Sequence, residues 1–444
     1  MKTVDLLDSR LAINGGDPVR TRRWYDNFTT AEEEKDAAIR VLERGYLSLF
    51  EGSHTPDPPF SFGGGPEVQA LEEEWSRYYG VKHSISVNSA TSGLYAAVGA
   101  LGLGYGDEVI VSPYTMSACA MAPLIYGAIP VFADVEAHSG CLDPAAVKKV
   151  ITERTKAILV VHQFGFPADM DALLVLAKKH GLLIIEDCAQ AHGAQYKGQP
   201  VGTLGDIGVF SLNVNKTIQT GEGGVCTTND ADLAYRLKLI RNHGEAVVGP
   251  AQYTEITNIA GYNYRMTELA AAIARVQLQK LRKLNTERLR LVNCVVDEIA
   301  DVPFLQPLNV PHRCRQCNCP EGARCVSTFY VLPLRFIEDR AGPNRKRFVE
   351  AVNAEGLSFA QGYVRPLYLQ PVYQRRHLFK HGYPFHAPVN EGAQMNYEKG
   401  TCPVAERLHF NELIVSEHVR PPHTAADMDD IVTAIRKVAG LAED

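Results

Sequence analysis

A chain of 444 residues that is 45% hydrophobic and 22% charged has enough apolar sequence to bury a large core, which excludes a disordered chain and predicts two or three domains. A formal net charge of −6, with both signs mixed along the sequence, excludes the global basic field that would hold nucleic acid or an anionic membrane. No apolar run approaches the ~18–20 residues of a membrane helix, and the start, MKTVDLLDSRLAINGGDPVR, has no apolar signal-peptide core, so the expectation is a cytoplasmic protein without a membrane partner.

Residues 1–30 read as an arm with a turn at Gly15–Pro18. Thr30 with Glu33 is a capping-box pattern and predicts a helix closed by Gly45. Residues 51–66, EGSHTPDPPFSFGGGP, are too rich in Gly and Pro for a regular element and predict a loop over a surface or pocket. Beyond them short apolar runs alternate with helical patterns. The runs are His83–Val87, Glu108–Val111, Val131–Val135, Ala157–His162, Leu182–Glu186, Gly208–Ser211 and Gly224–Thr227, with helical stretches such as Pro144–Glu153 and Met170–His180 between them. This rhythm predicts an α/β fold, a mostly parallel seven-stranded sheet covered on both faces. A long helical pattern runs from about Met266 to Asp297, and shorter mixed segments follow. The expected division is an arm and large domain at 1–285 and a smaller C-terminal α+β domain at 286–444.

Ten cysteines in this length are too dilute for a disulfide scaffold. Four cluster at Cys314, Cys317, Cys319 and Cys325, in what reads as an insertion at 311–326. With His312 beside them they could hold a structural zinc ion, although one C-x-C pair departs from the standard spacing. The alternative is a hairpin with free or paired thiols. No metal is expected in the chemistry.

Four features fall where open α/β sheets place ligands, at the carboxyl ends of the parallel strands. Ser89-Ala90-Thr91-Ser92-Gly93 follows the first strand and opens a helix. It is an ordinary N-cap or, with its free N–H groups and helix dipole, a phosphate cradle. Ile184-Ile185-Glu186-Asp187 ends a buried strand in carboxylates, with Gln190 and His192 beyond. Asp187 either caps the next turn or pairs with a ligand cation. A further strand ends in Ser211 and leads through Lys216 to the Gly-rich turn Gly221–Gly224. A lone loop lysine is usually a solvated charge, but one held over a sheet can form a Schiff base. Gly261-Tyr262-Asn263-Tyr264-Arg265 opens the long helix. Together these meet the needs of pyridoxal phosphate. Lys216 captures the aldehyde and later serves as general base, Asp187 keeps the ring nitrogen protonated so that the ring is an electron sink, and the Ser89–Gly93 helix start takes the phosphate.

At these residues the sequence resembles the DegT/DnrJ/StrS-type family of sugar aminotransferases, which have the aspartate aminotransferase fold (type I). The likeness includes Asn14-Gly15-Gly16, Leu101–Val111, His162-Gln-Phe-Gly165, Glu186-Asp187-Cys-Ala-Gln190-Ala-His-Gly193, Lys216, Gly221–Gly224, Gly261–Arg265 and Cys402-Pro403 with Glu406. The resemblance implies roles by position: Lys216 as the Schiff-base lysine, Asp187 on the pyridine nitrogen, Gln190 beside the ring hydroxyl, Thr91, Ser92 and Ser211 on the phosphate. It implies that Asn263 reaches the phosphate of the partner subunit, hence a homodimer with shared sites. Dehydratase relatives replace the lysine with histidine, so Lys216 favours amino transfer.

Departures from the family accompany the match. Met116 stands where an aromatic residue usually stacks on the cofactor ring, with Tyr114 as the alternative stacker. Ala90 replaces a usual glycine, and Tyr368 falls in a segment where many relatives carry histidine. The expected reaction moves an amino group from glutamate or glutamine to a keto-sugar or ketocyclitol, through pyridoxamine phosphate, as in amino-sugar, aminocyclitol or antibiotic-type biosynthesis. The alternative is a lyase, dehydratase or cyclisation enzyme of the same fold. His162, Tyr262, Tyr264 and Tyr368 are the candidate substrate contacts.

Overall fold

The computed structural model describes residues 6–54, 57–309, 324–338 and 344–441. The apolar runs form the strands they predict: β1 (His83–Val87), β2 (Glu108–Val111), β3 (Ile129–Phe132), β4 (Thr155–Val161) and β5 (Leu183–Asp187). A two-residue hairpin, β6 (Gln195–Tyr196) and β7 (Gln199–Pro200), precedes β8 (Ile207–Ser211) and β9 (Gly224–Thr228). The main sheet has the order β1-β9-β8-β5-β4-β2-β3. Only β9 runs against its neighbours. Such strands carry continuous Val/Ile/Leu because both faces are covered. The carboxyl ends of β1, β8, β5, β4 and β2 therefore line one edge, and the segments Ser89–Gly93, Asp187–His192 and Ser211–Gly224 belong to the strand ends and loops there, while Gly261–Arg265 comes from the segment between α8 and α9.

Helix α1 (Glu32–Arg44) starts one residue later than its expected cap. Glu34, not Glu33, reaches back, accepting the N–H of Ala31 at 2.7 Å, while Glu33 pairs with Lys280. Gly45 ends the helix with φ 84°, a left-handed turn that glycine takes without strain. Around the sheet run α2 (Pro66–Tyr79), α3 (Ala90–Ala100), α4 (Ala118–Ile125), α5 (Pro144–Val150), α6 (Met170–His180), α7 (Ala231–Arg241) and the single turn α8 (Gly244–Val247). Helix α9 (Glu268–Glu298) is 31 residues long, about 46 Å at 1.5 Å per residue. It packs on α1 and α2 at one end. A second sheet, β10 (Leu305–Pro307), β11 (Leu332–Phe336), β12 (Phe359–Gln361) and β13 (Leu413–Ser416), is antiparallel in the order β10-β11-β13-β12. It lies with α10 (Arg345–Ala354) and α11 (Ala425–Val438), and α11 packs on α9. The division expected at residue 285 falls inside α9, so one helix serves both sheets. Cys314, Cys317, Cys319 and His312 lie outside the described residues. Cys325 is described, and its Sγ accepts the N–H of Lys197 at 3.3 Å. Among the described residues no helix is long and apolar enough to cross a membrane.

The arm is tied to the C-terminal helix by charge. Arg20, buried over the ring of Trp24, reaches Asp427 at 2.9 Å and Asp430 at 2.6 Å. Burial alone would raise the Asp427 carboxyl, but the Thr424 N–H and the Arg20 guanidinium more than offset it and hold the group down to about 2. Arg20→Gln is expected to lower stability by about 2 kcal/mol at pH 7, because it removes the buried cation of Asp427 and leaves only the exposed Arg22, 3.7 Å away. The folded value lies below the unfolded value of about 3.9. This contribution is therefore present above about pH 4 and lost as pH falls toward 2. Urea unfolding of both proteins at pH 7 and pH 3 checks this: the difference should narrow at pH 3, and equal stability at pH 7 would contradict it.

Candidate active site

The anion end of the site is built where β1 hands the chain to α3. Ser89 caps the helix: its Oγ accepts the N–H of Ser92 at 3.0 Å. Ser92 in turn donates from its hydroxyl to Asn88 Oδ1 at 2.6 Å. The N–H groups of Ala90 and Thr91 have no acceptor among the described residues, and the Thr91 side chain is exposed. Ala90 takes the first helical position. Gly93 lets this helix sit on the sheet, since a Cβ there would stand 2.8 Å from Val209. Gly224 does the same from β9, where a Cβ would stand 2.8 Å from the amide nitrogen of Ala90. Ser211 ends β8 beside them, and its Oγ accepts the N–H of Asn213 at 3.3 Å, which leaves its own O–H free to donate. Two free amides and hydroxyls at a helix start suit a phosphate.

Asp187, the last residue of β5, is 4% exposed. Its Oδ1 accepts the N–H of Ala189 at 2.9 Å, and its Oδ2 accepts the thiol of Cys119 at 3.0 Å. No cation pairs with it among the described residues. Burial and the adjacent carboxylate push the Cys119 thiol well up, so it stays a donor. Cys119 lies in the first turn of α4 and its N–H bonds the carbonyl of Met116 at 3.2 Å. Met116, 60% exposed, therefore stands on the rim beside Asp187. Tyr114, the alternative stacker, is fully buried, with its hydroxyl accepting the N–H of Tyr363 at 3.0 Å. Gln190 is clamped at both ends: Oε1 accepts from Phe164 N–H at 2.8 Å and Nε2 donates to the Tyr363 hydroxyl at 3.2 Å.

Lys216 sits on the loop between β8 and β9. Val214 N–H bonds Gly221 O, Leu212 N–H bonds Gly223 O, and Gly221 takes φ 81° to close the turn. Asn27 of the arm donates to the carbonyls of Val214 at 2.7 Å and Lys216 at 2.9 Å, which pins the loop from outside. The Lys216 Nζ lies 4.5 Å from the centroid of the Tyr330 ring, and no carboxylate forms an ion pair with it among the described residues. Behind the loop His192 is buried with neither ring nitrogen bonded. Burial and then the charge of Lys216 push it down to about 3, so it is a neutral packing group.

Two proposed substrate contacts are structural. His162 is fully buried: Nε2 meets Glu186 Oε2 at 3.0 Å and Nδ1 accepts the N–H of Ala168 at 3.1 Å. Glu186 itself accepts three further backbone N–H groups, from Gly202, Leu204 and Gly205. The pair closes the loops behind the sheet edge and has no nitrogen left for a ligand. Tyr368 is fully buried against Phe132 and donates to Glu406 at 2.5 Å. Tyr262 and Tyr264 stack on each other at 4.7 Å and are partly exposed. The carbonyl of Tyr264 accepts Asn88 N–H at 2.8 Å, which sets this segment beside the α3 cap. Asn263 is exposed there, its Oδ1 accepting Arg265 Nε at 2.8 Å. Cys119, Tyr330, Tyr363 and Asn27 enter the site without any mark in the sequence pattern.

The model of the DegT/DnrJ/EryC1/StrS aminotransferase family matches residues 60–436. The L-glutamine:2-deoxy-scyllo-inosose aminotransferase of Streptoalloteichus tenebrarius is 33% identical to this chain, covering 96% of it and 97% of the relative. Among solved structures, an aminotransferase from Psychrobacter cryohalolentis superposes with a TM-score of 0.77 at 30% identity, over 94% of this chain and 98% of that one. The structure of DesI in the presence of its TDP-sugar product superposes with a TM-score of 0.76 at 25% identity, over 98% and 97%.

Proposed function

The chain belongs to the DegT/DnrJ/EryC1/StrS aminotransferase family, and from that premise we propose that it moves an amino group from L-glutamine or L-glutamate to the ketone of a cyclitol or sugar. The observation that carries this reading is a buried carboxylate without a cation, Asp187, on the same sheet edge as an amine without a counter-ion, Lys216. A buried charge is costly unless paired, so the edge is built for a ligand that brings a cation to Asp187 and takes the amine. Pyridoxal phosphate fits this donor set. Lys216 would hold its aldehyde carbon, Asp187 its ring nitrogen, and the α3 start with Thr91, Ser92 and Ser211 its phosphate. Gln190 would stand beside its ring hydroxyl and Met116 on its ring face. When bound, the group supplies an electron sink for the bonds of the donor's α-carbon.

The chain's own residues do the rest. Lys216, pinned by Asn27 and without an ion pair among the described residues, carries the proton away from the α-carbon of the donor and returns it on the acceptor side. Asp187 keeps its charge facing inward because Cys119 and Ala189 hold both oxygens. The exposed side chain of Asn263 is proposed to reach the site of the partner subunit, which makes the working unit a homodimer. Tyr262 and Tyr264, on the same segment, are the remaining candidates for acceptor hydroxyls. The names of the relatives support amino transfer over a lyase, dehydratase or cyclisation reaction.

The test is to supply L-[α-15N]glutamine and 2-deoxy-scyllo-inosose, the acceptor named for the Streptoalloteichus relative. One 15N-labelled aminocyclitol is expected per keto acid formed. Consumption of the ketone with no gain of nitrogen would replace this reading with the lyase or dehydratase one.

A further inference from the structure

Between Trp24 and Thr29 the arm runs past the Lys216 loop on few ties. Trp24 Nε1 donates to the carbonyl of Gly356 at 2.9 Å, and Thr29 is held by Gln277 on α9. Among the described residues, the span between them is hydrogen-bonded to the rest of the chain at two places. One is Asn27, whose amide donates to the carbonyls of Val214 and Lys216. The other is the N–H of Tyr25, which His423 Nε2 accepts at 3.1 Å.

His423 lies just before α11 and is 4% exposed, and its Nδ1 meets the carbonyl of Arg420 at 2.9 Å. These two contacts fix its proton. A carbonyl only accepts, so Nδ1 carries the hydrogen; a backbone N–H only donates, so Nε2 is bare. His423 is therefore neutral in this fold. A second proton would turn Nε2 into a donor facing a donor, and the Tyr25 tie would be lost. Three rings crowd it: Trp24 at 5.1 Å, His418 at 5.6 Å and Tyr25 at 5.8 Å. Trp24 is itself gripped from other sides, with Arg20 at 3.8 Å from its ring and His418 stacked at 4.9 Å.

We propose that His423 is a positioning residue for Lys216: neutral, it holds the arm on the lysine loop, and a proton on its Nε2 loosens that grip. The grip stands whatever the enzyme acts on, while its effect on turnover rests on the amino-transfer reading. Burial lowers the His423 pKa most. Its bond to the Arg420 carbonyl and the Asp427 carboxylate of α11 oppose this, and the charges of Arg420 and of Arg20 on the arm add to it. The net shift is downward from the unfolded value of about 6.5. The tie is therefore complete above that pH and is lost as pH falls through the lower folded value. Asp427, held down to about 2, keeps its charge throughout. His418 is pushed down to about 4 by burial and by His423, and Asp26 acts on it and on Arg420.

The test is hydrogen exchange of the loop peptides spanning 212–221 in the holoenzyme, from about pH 7.5 to about pH 4.5, corrected for the intrinsic pH dependence of exchange. Wild-type protection is expected to fall about 3–10-fold with a single midpoint below about 6.5. His423→Gln, whose amide oxygen accepts but takes no proton, should keep its protection across the range. His423→Phe, which has no acceptor, should be loosened at every pH, and the glutamine variant carries the test if the phenylalanine one does not fold. His418→Gln should retain the acid response. The rate at which wild type releases keto acid from L-glutamine should fall over the same midpoint, and that step should be missing in His423→Gln. Flat wild-type protection, or an equal acid loss in His423→Gln, overturns the proposal. A wild type that releases keto acid from no amino donor at any pH fails the amino-transfer reading, and the exchange profile still decides on the grip.

Discussion

Replacing Lys216 with alanine is expected to lower turnover by ~10³-fold or more, the largest single effect of any substitution in the cleft. The side chain is partly exposed and makes no hydrogen bond through its amine among the described residues, so the fold has little to lose. What positions the loop is its backbone: the bonds of Leu212 and Val214 to Gly223 and Gly221, and the grip of Asn27. These survive truncation. Thermal unfolding of the variant should stay close to wild type, within about 0.5 kcal/mol as for other surface substitutions. Steady-state rates with L-glutamine and a keto-cyclitol check the prediction. Turnover within about tenfold of wild type would show that another group moves the proton.

Asp187→Asn is expected to lower kcat by about 10²-fold while the protein keeps most of its cofactor. The substitution preserves shape and leaves the amide able to accept from Ala189 and to meet the Cys119 sulfur. It removes the one charge that favours a protonated ring nitrogen. That charge matters more as electrons move into the ring than it does in the resting complex, so the loss falls on kcat more than on binding. A charge-assisted hydrogen bond is worth about 1.5–3 kcal/mol, and 2.7 kcal/mol is about a hundredfold in rate. Cofactor content is read from absorbance after gel filtration, beside the rate. Equal rates in variant and wild type would remove Asp187 from the mechanism.

The sheet was legible because its strands are buried on both faces and so read as unbroken apolar runs. Even there the register decided the ends: β3 pairs Ile129–Phe132 with Glu108–Val111 and so stops before the residues Ala133–Val135 that its apolar pattern includes. Lys216 was legible from the Gly-rich turn that follows it, and Asp187 from its place at a strand end. His162 and Tyr368 were misread for one reason. A polar tip on a sequence says nothing of which way it points, and both spend their polar atoms inside the fold. Asn27 grips a loop 187 residues away in sequence, and Tyr330 comes from a segment with no period to read. Contacts of that range are set by tertiary packing, which leaves no local mark. The α1 cap missed by one residue because two adjacent glutamates fit the pattern, and Lys280 on α9 bonds both of them, Glu34 at 2.7 Å and Glu33 at 3.2 Å.

The central claim is that one lysine of this chain holds the cofactor. Borohydride reduction of the holoenzyme, followed by proteolysis and mass spectrometry, fixes the cofactor onto the residue that carries it. One reduced pyridoxyl adduct per chain is predicted, on the peptide that contains Lys216. An adduct on any other lysine, or protein that binds the cofactor and yields no adduct, would contradict the account.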